Sequence, residues 1–540
     1  MLKQSTASYS RWSHAGLGLL CFLLIWFRLP GLYAAGNFVA EDGWVFFADA
    51  FNESFPLVLF KPYAGYFHLL PRLIAELAGG LDFAVQPTAY AVVAGLCSAL
   101  LLTLWYLPVF RCHLASDGHR AAIVLLLAVC HHAENLSLVL GLHWYLSFAL
   151  ALFALAPLPA GKSAGMMTAG LSVLAAWSSP STVALVPLLV WRFFRPLNRR
   201  HRWWCGFTLL HIACALAFMA WMRVDEPSRV AHASPGELVL ATRVIMVRGW
   251  LGSTLIGEPL AQALGALSPH VLDALGVGVG CFLMGMVWRL RCRAGSGLGL
   301  PGVEVMWGMA AILMLALSLL RSLYVAETAQ AVLPRHIRYL TAPSLLLLVL
   351  VWSLIYKWAT AVPGWRIRFV WGLWLLQFGV LLIGMRKAKH WTREFEHFPW
   401  SEQVPAVRQF ALPGAESTPA SLYVPSDVPY WGPVLKRNGG YQHLPEMGWV
   451  TIRGLEQSPE TAEAIAWFGR FRVGTSWPWI EHELLGKVEY HGEFEGRVWF
   501  RDEVGLLYFS SPLMFPQFWV MDGLQFSLAI PDASESLAQP

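Results

Sequence analysis

Long apolar runs constrain this chain more than any other feature of its sequence. Uninterrupted hydrophobic segments of about twenty residues recur through the first 385 positions, and a helix needs this length to cross a bilayer. Hydrophobic residues make up 56% of the 540 residues and charged residues 14%, against roughly 25% charged residues in an average soluble domain. Because the runs are continuous and do not alternate, they predict a polytopic α-helical membrane protein and not a barrel.

We predict eleven spans. They lie near residues 15–33, 87–109, 120–138, 141–157, 164–179, 181–195, 203–222, 271–290, 303–321, 338–356 and 367–385. The first run is interpreted as a retained anchor and not a cleaved signal peptide, because its apolar part is long. Residues 1–385 therefore form the predicted transmembrane domain, with a first outer loop at 34–86.

Short basic loops predict the orientation of these spans, because such loops stay in the cytoplasm. The basic loops hold Arg111 and Arg120, five arginines from Arg192 to Arg202, three from Arg289 to Arg293, and Lys357, Arg366 and Arg368. Eleven alternating spans place all four loops inside together with the N-terminus. The basic run "MRKAKHWTR" after the last span goes against this rule, since it falls on the outer side.

The composition changes after Met385. Residues 386–540 hold 19 of the 34 acidic residues and no apolar run of spanning length. Segments such as "RFRVGTSWPW" and "KVEYHGEFEGRVWF" combine β-branched and aromatic residues with Gly, Pro and Asp breaks, which is typical of short strands and turns. We predict an extracytoplasmic, mainly β domain of the α+β class, with a helix in "SPETAEAIAWFGRF".

Cysteine spacing and net charge exclude two further classes of function. The eight cysteines form no CxxC pair and no Cys/His spacing of the kind that binds zinc, so neither a disulfide framework nor a zinc site is predicted. The net charge of +5 comes from the inner loops, and nothing in the pattern indicates a nucleic-acid partner.

The first outer loop carries the polar residues that the spans do not explain. In "AEDGWVFFADAFNESF", the residues Trp44, Phe47, Ala48 and Phe51 recur at helical spacing and predict an amphipathic helix in the membrane interface. A second helix is predicted in "HLLPRLIAELAGGL". If this helix begins one turn before Pro71, His68 and Arg72 share one face of it. If it begins at Pro71, the two side chains need not share a face.

This architecture resembles the GT-C superfamily of integral membrane glycosyltransferases. The resemblance covers the order of first span, acidic outer loop, further spans and outer C-terminal domain. Its motifs are "AEDG" at 40–43, "PYAGYFHLLPR" at 62–72 and "RHIRYLTAP" at 335–343. Members of this superfamily transfer a sugar from a polyprenyl-phosphate donor on the extracytoplasmic face, and the acid of the first outer loop is their usual catalytic base.

The resemblance implies roles for particular residues. Asp42 is the expected general base and Glu41 its neighbour, although the order between them stays open. The residues expected to bind the lipid phosphate or substrate are Lys61, Tyr63, His68, Arg72, His132, Arg335, Arg338 and Tyr339. Arginine suits this task because its guanidinium grips phosphate oxygens in pairs. No cofactor is specified, and a divalent metal stays open.

The expected partners are a polyprenyl-phosphate sugar, a glycan, lipid or protein acceptor, and membrane lipids. The expected location is the bacterial inner membrane, with the C-terminal domain in the periplasm or outside the cell. Two other functions stay open: a transporter or flippase of lipid-linked saccharides, and a polymerase or ligase of surface polysaccharide. A transporter is predicted to show inverted repeats and Gly- or Pro-broken spans at matching positions, and the sequence shows neither.

Structural roles compete with these functional ones. Glu41 and Asp42 can simply begin an interfacial helix, where acidic residues are favoured. His132, in "HHAEN", fits the polar end of a helix pair, and Arg335 and Arg338 can extend toward the membrane interface. We interpret His143 and Trp144 as interfacial packing.

Overall fold

The computed structural model describes most of the helical part of the chain and the strands of its C-terminal part. The described residues are 11–28, 30, 33, 36–39, 41–53, 55–63, 65–130, 136–222, 254, 274, 278, 281, 285, 306, 308–316, 340–360, 364–387, 400–411, 421–423, 434–436, 456–457, 463–466, 469–473, 479–482, 484–494, 497–502, 507–510, 518–522 and 525–529.

Contacts between residues divide the chain into two compact units. The first comprises Met1–Ala34, Leu59–Ala78 and Thr88–Thr392, and the second comprises Ala35–Val58, Gly79–Pro87 and Arg393–Pro540. By this criterion, most of the first outer loop groups with the C-terminal part of the chain. The division into folding domains at residue 385 stays a prediction.

The described part of the first unit is helical. Its helices are α1 (Arg11–Arg28), α3 (Leu69–Gly79), α4 (Gln86–Thr103), α5 (Asp117–Val129), α6 (Leu142–Leu155), α7 (Lys162–Ser178), α8 (Val186–Phe194), α9 (Arg199–Trp221), α10 (Thr341–Thr360) and α11 (Trp365–Lys387). Short 3₁₀ segments lie at Leu57–Phe60, Leu104–Tyr106, Pro108–Cys112 and Pro180–Leu185; the first of these crosses the boundary between the units. The helix α2 (Ala48–Asn52) belongs to the second unit.

Two helices form the centre of the first unit. Every residue of α6 is buried, and α10 is buried continuously from Thr341 to Leu354. A helix that is apolar on all sides lies within a protein core or in lipid. Here α6 contacts α7 and α10, and α10 also contacts α5 and α11.

Among the described residues, four helices are long and apolar enough to cross a membrane. They are Gln86–Tyr106, Arg199–Trp221, Thr341–Thr360 and Trp365–Ile383. Shorter apolar helices lie at Ser13–Arg28 and Leu142–Leu155, where spans are also predicted. The chain is therefore mostly helical and has several helices of membrane-spanning character, whereas the full set of eleven spans stays a prediction. The predicted spans at 271–290 and 303–321 lie largely outside the described residues.

The predicted spans 164–179 and 181–195 form a broken pair. The segments Lys162–Ser178 and Pro180–Phe194 are bent by 115° at Ser179, so together they make one broken span or a re-entrant loop. Pro180 explains the break, because proline lacks the N–H that would continue α7 and it disfavours helical conformation in the residue before it. Ser179 is accordingly extended, with φ −132° and ψ 119°.

The second unit begins with the acidic loop. A π-helix spans Asp42–Phe47 and continues directly into α2 (Ala48–Asn52). The predicted amphipathic helix is thus present in this altered form, with Phe47 and Ala48 buried and Trp44 and Phe51 half-buried. A further helix, α12 (Trp400–Ala411), precedes the strands.

The described C-terminal strands all pair in antiparallel fashion. The strands β1 (Ser421–Tyr423) and β2 (Val434–Lys436) pair with each other. The other nine form one sheet in sequential order: β3 (Glu456–Gln457), β4 (Glu463–Ala466), β5 (Gly469–Val473), β6 (Trp479–His482), β7 (Gly486–Phe494), β8 (Arg497–Asp502), β9 (Leu507–Ser510), β10 (Phe518–Asp522) and β11 (Gln525–Ala529). This confirms a β-rich C-terminal part.

The prediction of a helix in "SPETAEAIAWFGRF" is wrong. Residues Glu463–Ala466 and Gly469–Val473 form β4 and β5, with Ala464 paired to Phe471 and Ile465 to Arg470. Glu and Ala favour helices, but strand formation depends mainly on the neighbouring strands. In this sheet β4 pairs with β3 and β5 pairs with β6, and these pairings outweigh local propensity.

Candidate functional site

The acidic pair lies at the start of the π-helix and is withdrawn from water. Glu41 is 8% exposed and Asp42 is 3% exposed. Asp42 donates its backbone N–H to the carbonyl of Val39 over 3.2 Å, which turns the chain into the helix. Carboxylates are rarely buried to this degree unless they are paired, because burial disfavours the charged form.

The π-helix itself points to function. Such helices are rare and are often found at functional sites. Gly43 allows it to pack closely here, because a Cβ at this position would lie 2.8 Å from the Cβ of Phe38. The Phe38 ring also stacks on Phe47, the last residue of the π-helix, with centroids 4.6 Å apart. Phe38 therefore contacts the helix at both of its ends.

A second polar cluster lies in the first unit, beginning with a tight turn. Tyr63 and Tyr66 exchange backbone hydrogen bonds of 3.0 and 3.2 Å across this turn. Gly65 adopts φ +78°, which a type II turn requires at its third position and which glycine adopts most readily. The turn brings both tyrosine rings against His68, with centroid distances of 5.6 Å for Tyr63 and 4.1 Å for Tyr66.

The second loop helix begins early enough to align two predicted site residues. Helix α3 starts at Leu69, and the backbone N–H of Arg72 donates to the carbonyl of His68 over 2.9 Å. Residues four apart on a helix are neighbours on one face. Of the two registers left open by the sequence, the structure adopts the one in which His68 and Arg72 share a face.

This face is buried. His68 is fully buried and Arg72 is 1% exposed. Burial, and then the nearby His143 and Arg72, hold the pKa of His68 well below its ordinary value. The imidazole is therefore neutral at physiological pH and can accept or donate a hydrogen bond, while the guanidinium of Arg72 supplies positive charge to the cluster.

His143 is a member of this cluster that sequence analysis assigned to packing. Its ring lies 5.9 Å from that of His68 and 5.7 Å from that of Tyr66. Its Nδ1 donates to the carbonyl of Leu140, so in the neutral ring Nε2 is the acceptor atom. The signal available in the sequence was a histidine near the start of an otherwise apolar helix, because a buried imidazole needs hydrogen-bond partners.

The broken helix pair adjoins the cluster through hydroxyl groups. Ser178 Oγ accepts a hydrogen bond from the backbone N–H of Leu70 over 2.9 Å, and Ser147 donates to Ser179 Oγ over 2.7 Å. Thr182 Oγ1 donates to the carbonyl of Ser179 over 2.7 Å. Helix ends buried in protein need such partners for their backbone groups. The break is thus a polar site within a helix pair of spanning character.

Of the remaining predicted site residues, the structure describes Lys61. Lys61 is half-buried in the segment before the tyrosine turn. His132, Arg335, Arg338 and Tyr339 lie outside the described residues. The described part of the chain holds no group of three or more His, Cys, Asp or Glu residues that could bind a metal ion.

The structure groups the predicted residues in two sets. Tyr63, His68 and Arg72 come together in the first unit, where His143 joins them, while Glu41 and Asp42 belong to the second unit. Comparison with protein-family models, curated proteins and solved structures gave no match. Membership of a glycosyltransferase superfamily therefore stays a prediction from the sequence motifs.

Proposed function

We propose that this protein is a membrane glycosyltransferase of the GT-C type, which transfers one sugar from a polyprenyl-phosphate donor to an extracytoplasmic glycan, lipid or protein. The observation that carries the proposal is the burial of the adjacent acids Glu41 and Asp42 at the start of a π-helix. Acids that only marked the start of a surface helix would be expected to face water, and both are withdrawn from it.

Asp42 is the proposed general base. It takes the proton from the acceptor hydroxyl as the oxygen forms a bond to C1 of the donor sugar. The C1–O bond to the lipid phosphate breaks at the same time, and its electron pair leaves with the phosphate. Attack and departure occur on opposite faces, so the anomeric centre inverts. Neighbouring side chains on a helix diverge, so only one of the two carboxylates is expected to reach the acceptor.

Arg72 is the proposed phosphate ligand among the described residues. Its guanidinium presents paired N–H donors, which match the oxygens of a lipid phosphate. Neutral His68 provides a further hydrogen-bonding group on the same helical face, and Tyr63 and Tyr66 lie against it. Arg335 and Arg338 complete the proposed set from the sequence.

The test is transfer by the purified protein. Wild type, Asp42→Asn and Glu41→Gln are incubated in detergent with a panel of radiolabelled polyprenyl-phosphate sugars and a membrane extract as acceptor. We expect Asp42→Asn to lower transfer by about 10²- to 10⁴-fold, the usual worth of a general base. Asp49→Asn is the matched control, because Asp49 is another acid of the same loop in α2.

Two outcomes would remove the proposal. One is full transfer by both single variants and by the double variant. The other is an equal loss of sugar transfer in Asp49→Asn and Asp42→Asn. That result would show that transfer depends on the overall charge of the loop and not on a general base.

A lipid-linked saccharide transporter is the second candidate. The observation that favours it is the 115° break between Lys162–Ser178 and Pro180–Phe194, because transporters often bind substrate at broken helices. The discriminating measurement is translocation of a fluorescent lipid-linked saccharide in proteoliposomes. A transporter would move the lipid in Asp42→Asn as in wild type, without any change in the glycan itself.

A further inference from the structure

The N-terminus of α12 is tied to the segment that leads into the acidic pair. The backbone N–H of Trp400 donates to Oδ1 of Asn37 over 2.6 Å, and both residues are buried. The first N–H groups of a helix have no partner inside the helix, so Asn37 acts as a cap supplied from elsewhere in the chain.

The Trp400 side chain joins a second part of the loop. Its Nε1 donates to the carbonyl of Phe83 over 2.6 Å. Trp400 thus binds the segment before the π-helix through its backbone and the segment 79–87 through its indole. Both segments and α12 belong to the same compact unit.

The indole ring also contacts the two phenylalanines that flank the acidic turn. Its centroid lies 4.8 Å from Phe38 and 5.3 Å from Phe47, edge to face in both cases. Such aromatic pairs have defined geometry. Since Phe38 abuts Gly43 and Phe47 ends the π-helix, Trp400 contacts the two rings that border the helix carrying Asp42.

An ion pair joins the C-terminal part of α12 to the segment 79–87. Nη2 of Arg408 lies 2.7 and 2.8 Å from the two carboxylate oxygens of Asp82. Both side chains are 52% exposed, so solvent screens the pair and it adds little stability.

We propose that Trp400 and Asn37 are positioning residues, which hold the carboxylates of Glu41 and Asp42 in their reactive orientation through the π-helix. The inference rests on the proposed function, because it assumes that one of these acids is the base. According to this proposal, α12 positions the π-helix of the acidic loop, which lies more than three hundred positions earlier in the chain.

The experiment compares Trp400→Phe, Asn37→Leu and Asn37→Asp in the full-length protein. Asn37→Leu removes the acceptor oxygen at similar volume, whereas Asn37→Asp keeps an oxygen that accepts from a helix N-terminus. Two quantities are measured: the donor KM and kcat for transfer, and amide hydrogen exchange of peptides covering residues 38–52. Trp365→Phe is the control, because Trp365 is 66% exposed.

We expect Asn37→Leu to lower kcat by about 10- to 100-fold with little change in donor KM, since a misplaced catalytic group costs about this much. Exchange in the π-helix should be faster in Asn37→Leu and Trp400→Phe, and near wild type in Asn37→Asp and Trp365→Phe. Unchanged exchange in Asn37→Leu overturns the proposal, as does an equal kcat loss in Asn37→Asp.

Hydrogen exchange separates this proposal from the proposed function. If Asp42→Asn retains full transfer, the general base is wrongly assigned, yet exchange still reports whether Trp400 and Asn37 order the π-helix. If Asp42→Asn is inactive and exchange is unaffected by Asn37→Leu, the base stands and the positioning role is overturned.

Discussion

The hydroxyl of Ser178 accepts a hydrogen bond from the backbone N–H of Leu70, with 2.9 Å between the two atoms. Ser178 is the last residue of α7, and Leu70 lies in the first turn of α3. The residue immediately before α3 is His68, which is not one of the usual capping residues Ser, Thr, Asp or Asn. A backbone N–H at the helix N-terminus is instead satisfied by Ser178, 108 positions away from Leu70. The register that aligns His68 with Arg72 therefore depends on the broken helix pair.

Replacing Ser178 with alanine should lower the free energy of unfolding by about 1 kcal/mol, the typical loss when a helix cap is removed. Donor binding should weaken as well, because the start of α3 positions His68 and Arg72. Thermal unfolding of the purified protein in detergent measures the first effect, and donor KM measures the second.

Ser353→Ala is the control for this prediction. Ser353 is buried in α10, and its hydroxyl has no hydrogen-bond partner in the described part of the chain. Removing a hydroxyl that makes no hydrogen bond is close to neutral or stabilising. An equal loss of stability in the two variants would show that the bond from Leu70 to Ser178 contributes nothing specific.

Gly43→Ala should destabilise the acidic turn. The added methyl would lie 2.8 Å from Cβ of Phe38, and overpacking of this kind costs about 1–3 kcal/mol. We expect sugar transfer to fall by a larger factor than the yield of folded protein, because the strain acts on the segment that carries Asp42. The variant is compared with wild type by thermal unfolding and by kcat.

Gly372→Ala provides the matched control, since a Cβ at this position of α11 meets nothing within 4 Å. Alanine is favoured over glycine within a helix by up to about 1 kcal/mol. This variant should be neutral or stabilising and fully active. A Gly43→Ala protein with wild-type stability and kcat would contradict close packing between Phe38 and the π-helix.

The hydrophobic runs predicted the positions of helices well, but they did not predict which helices are continuous spans and which are broken. The runs at 87–109 and 338–356 correspond to helices of spanning character, because length and apolar composition are local properties. The break at Ser179 was not predicted, although Pro180 was visible. Whether a proline bends a helix pair or separates two spans depends on which hydroxyls satisfy the exposed backbone groups, and these come from distant residues.

The candidate site was predictable in its local parts only. Asp42, Glu41, His68 and Arg72 stood out as charged or polar residues in an apolar loop, and the structure buries all four. His143 was assigned to packing, because its relation to His68 arises from the approach of two separate elements. The contact of Trp400 with Asn37 was invisible for the same reason: it joins residues 363 positions apart.

The stability of the protein should depend on pH through His68. Its folded pKa lies well below the ordinary value of about 6.5, so the unfolded state binds a proton that the folded state excludes. The free energy of unfolding should fall as pH drops below about 6.5, by at most about 1.4 kcal/mol per pH unit, and should be independent of this group above it. His68→Gln should reduce this slope in thermal unfolding measured between pH 5 and 8. The same slope in both proteins would assign the pH dependence to other groups.

Asp117 joins two arginines of a predicted cytoplasmic loop. Arg111 binds both of its carboxylate oxygens, with Nε at 2.9 Å from one of them, and Arg120, which is fully buried, donates to the same carboxylate. The hydrogen bond from Arg111, followed by the charge of Arg120, lowers the pKa of Asp117 despite an opposing effect of burial. The folded state therefore holds this carboxylate ionised more firmly than the unfolded chain does.

Asp117→Asn should lower the free energy of unfolding by about 1–2 kcal/mol at pH 7. Loss of one partner of a fully buried pair costs about 3–5 kcal/mol, but Asp117 is 34% exposed and solvent screens part of the interaction. Because the folded pKa is depressed, the contribution is present above the unfolded pKa of about 3.9 and is lost as pH falls through the folded value. The difference between wild type and variant should therefore shrink toward pH 3 in thermal unfolding. A difference that stays constant down to pH 3 would mean that the carboxylate acts through its shape and hydrogen bonds, and that its charge does not stabilise the buried Arg120.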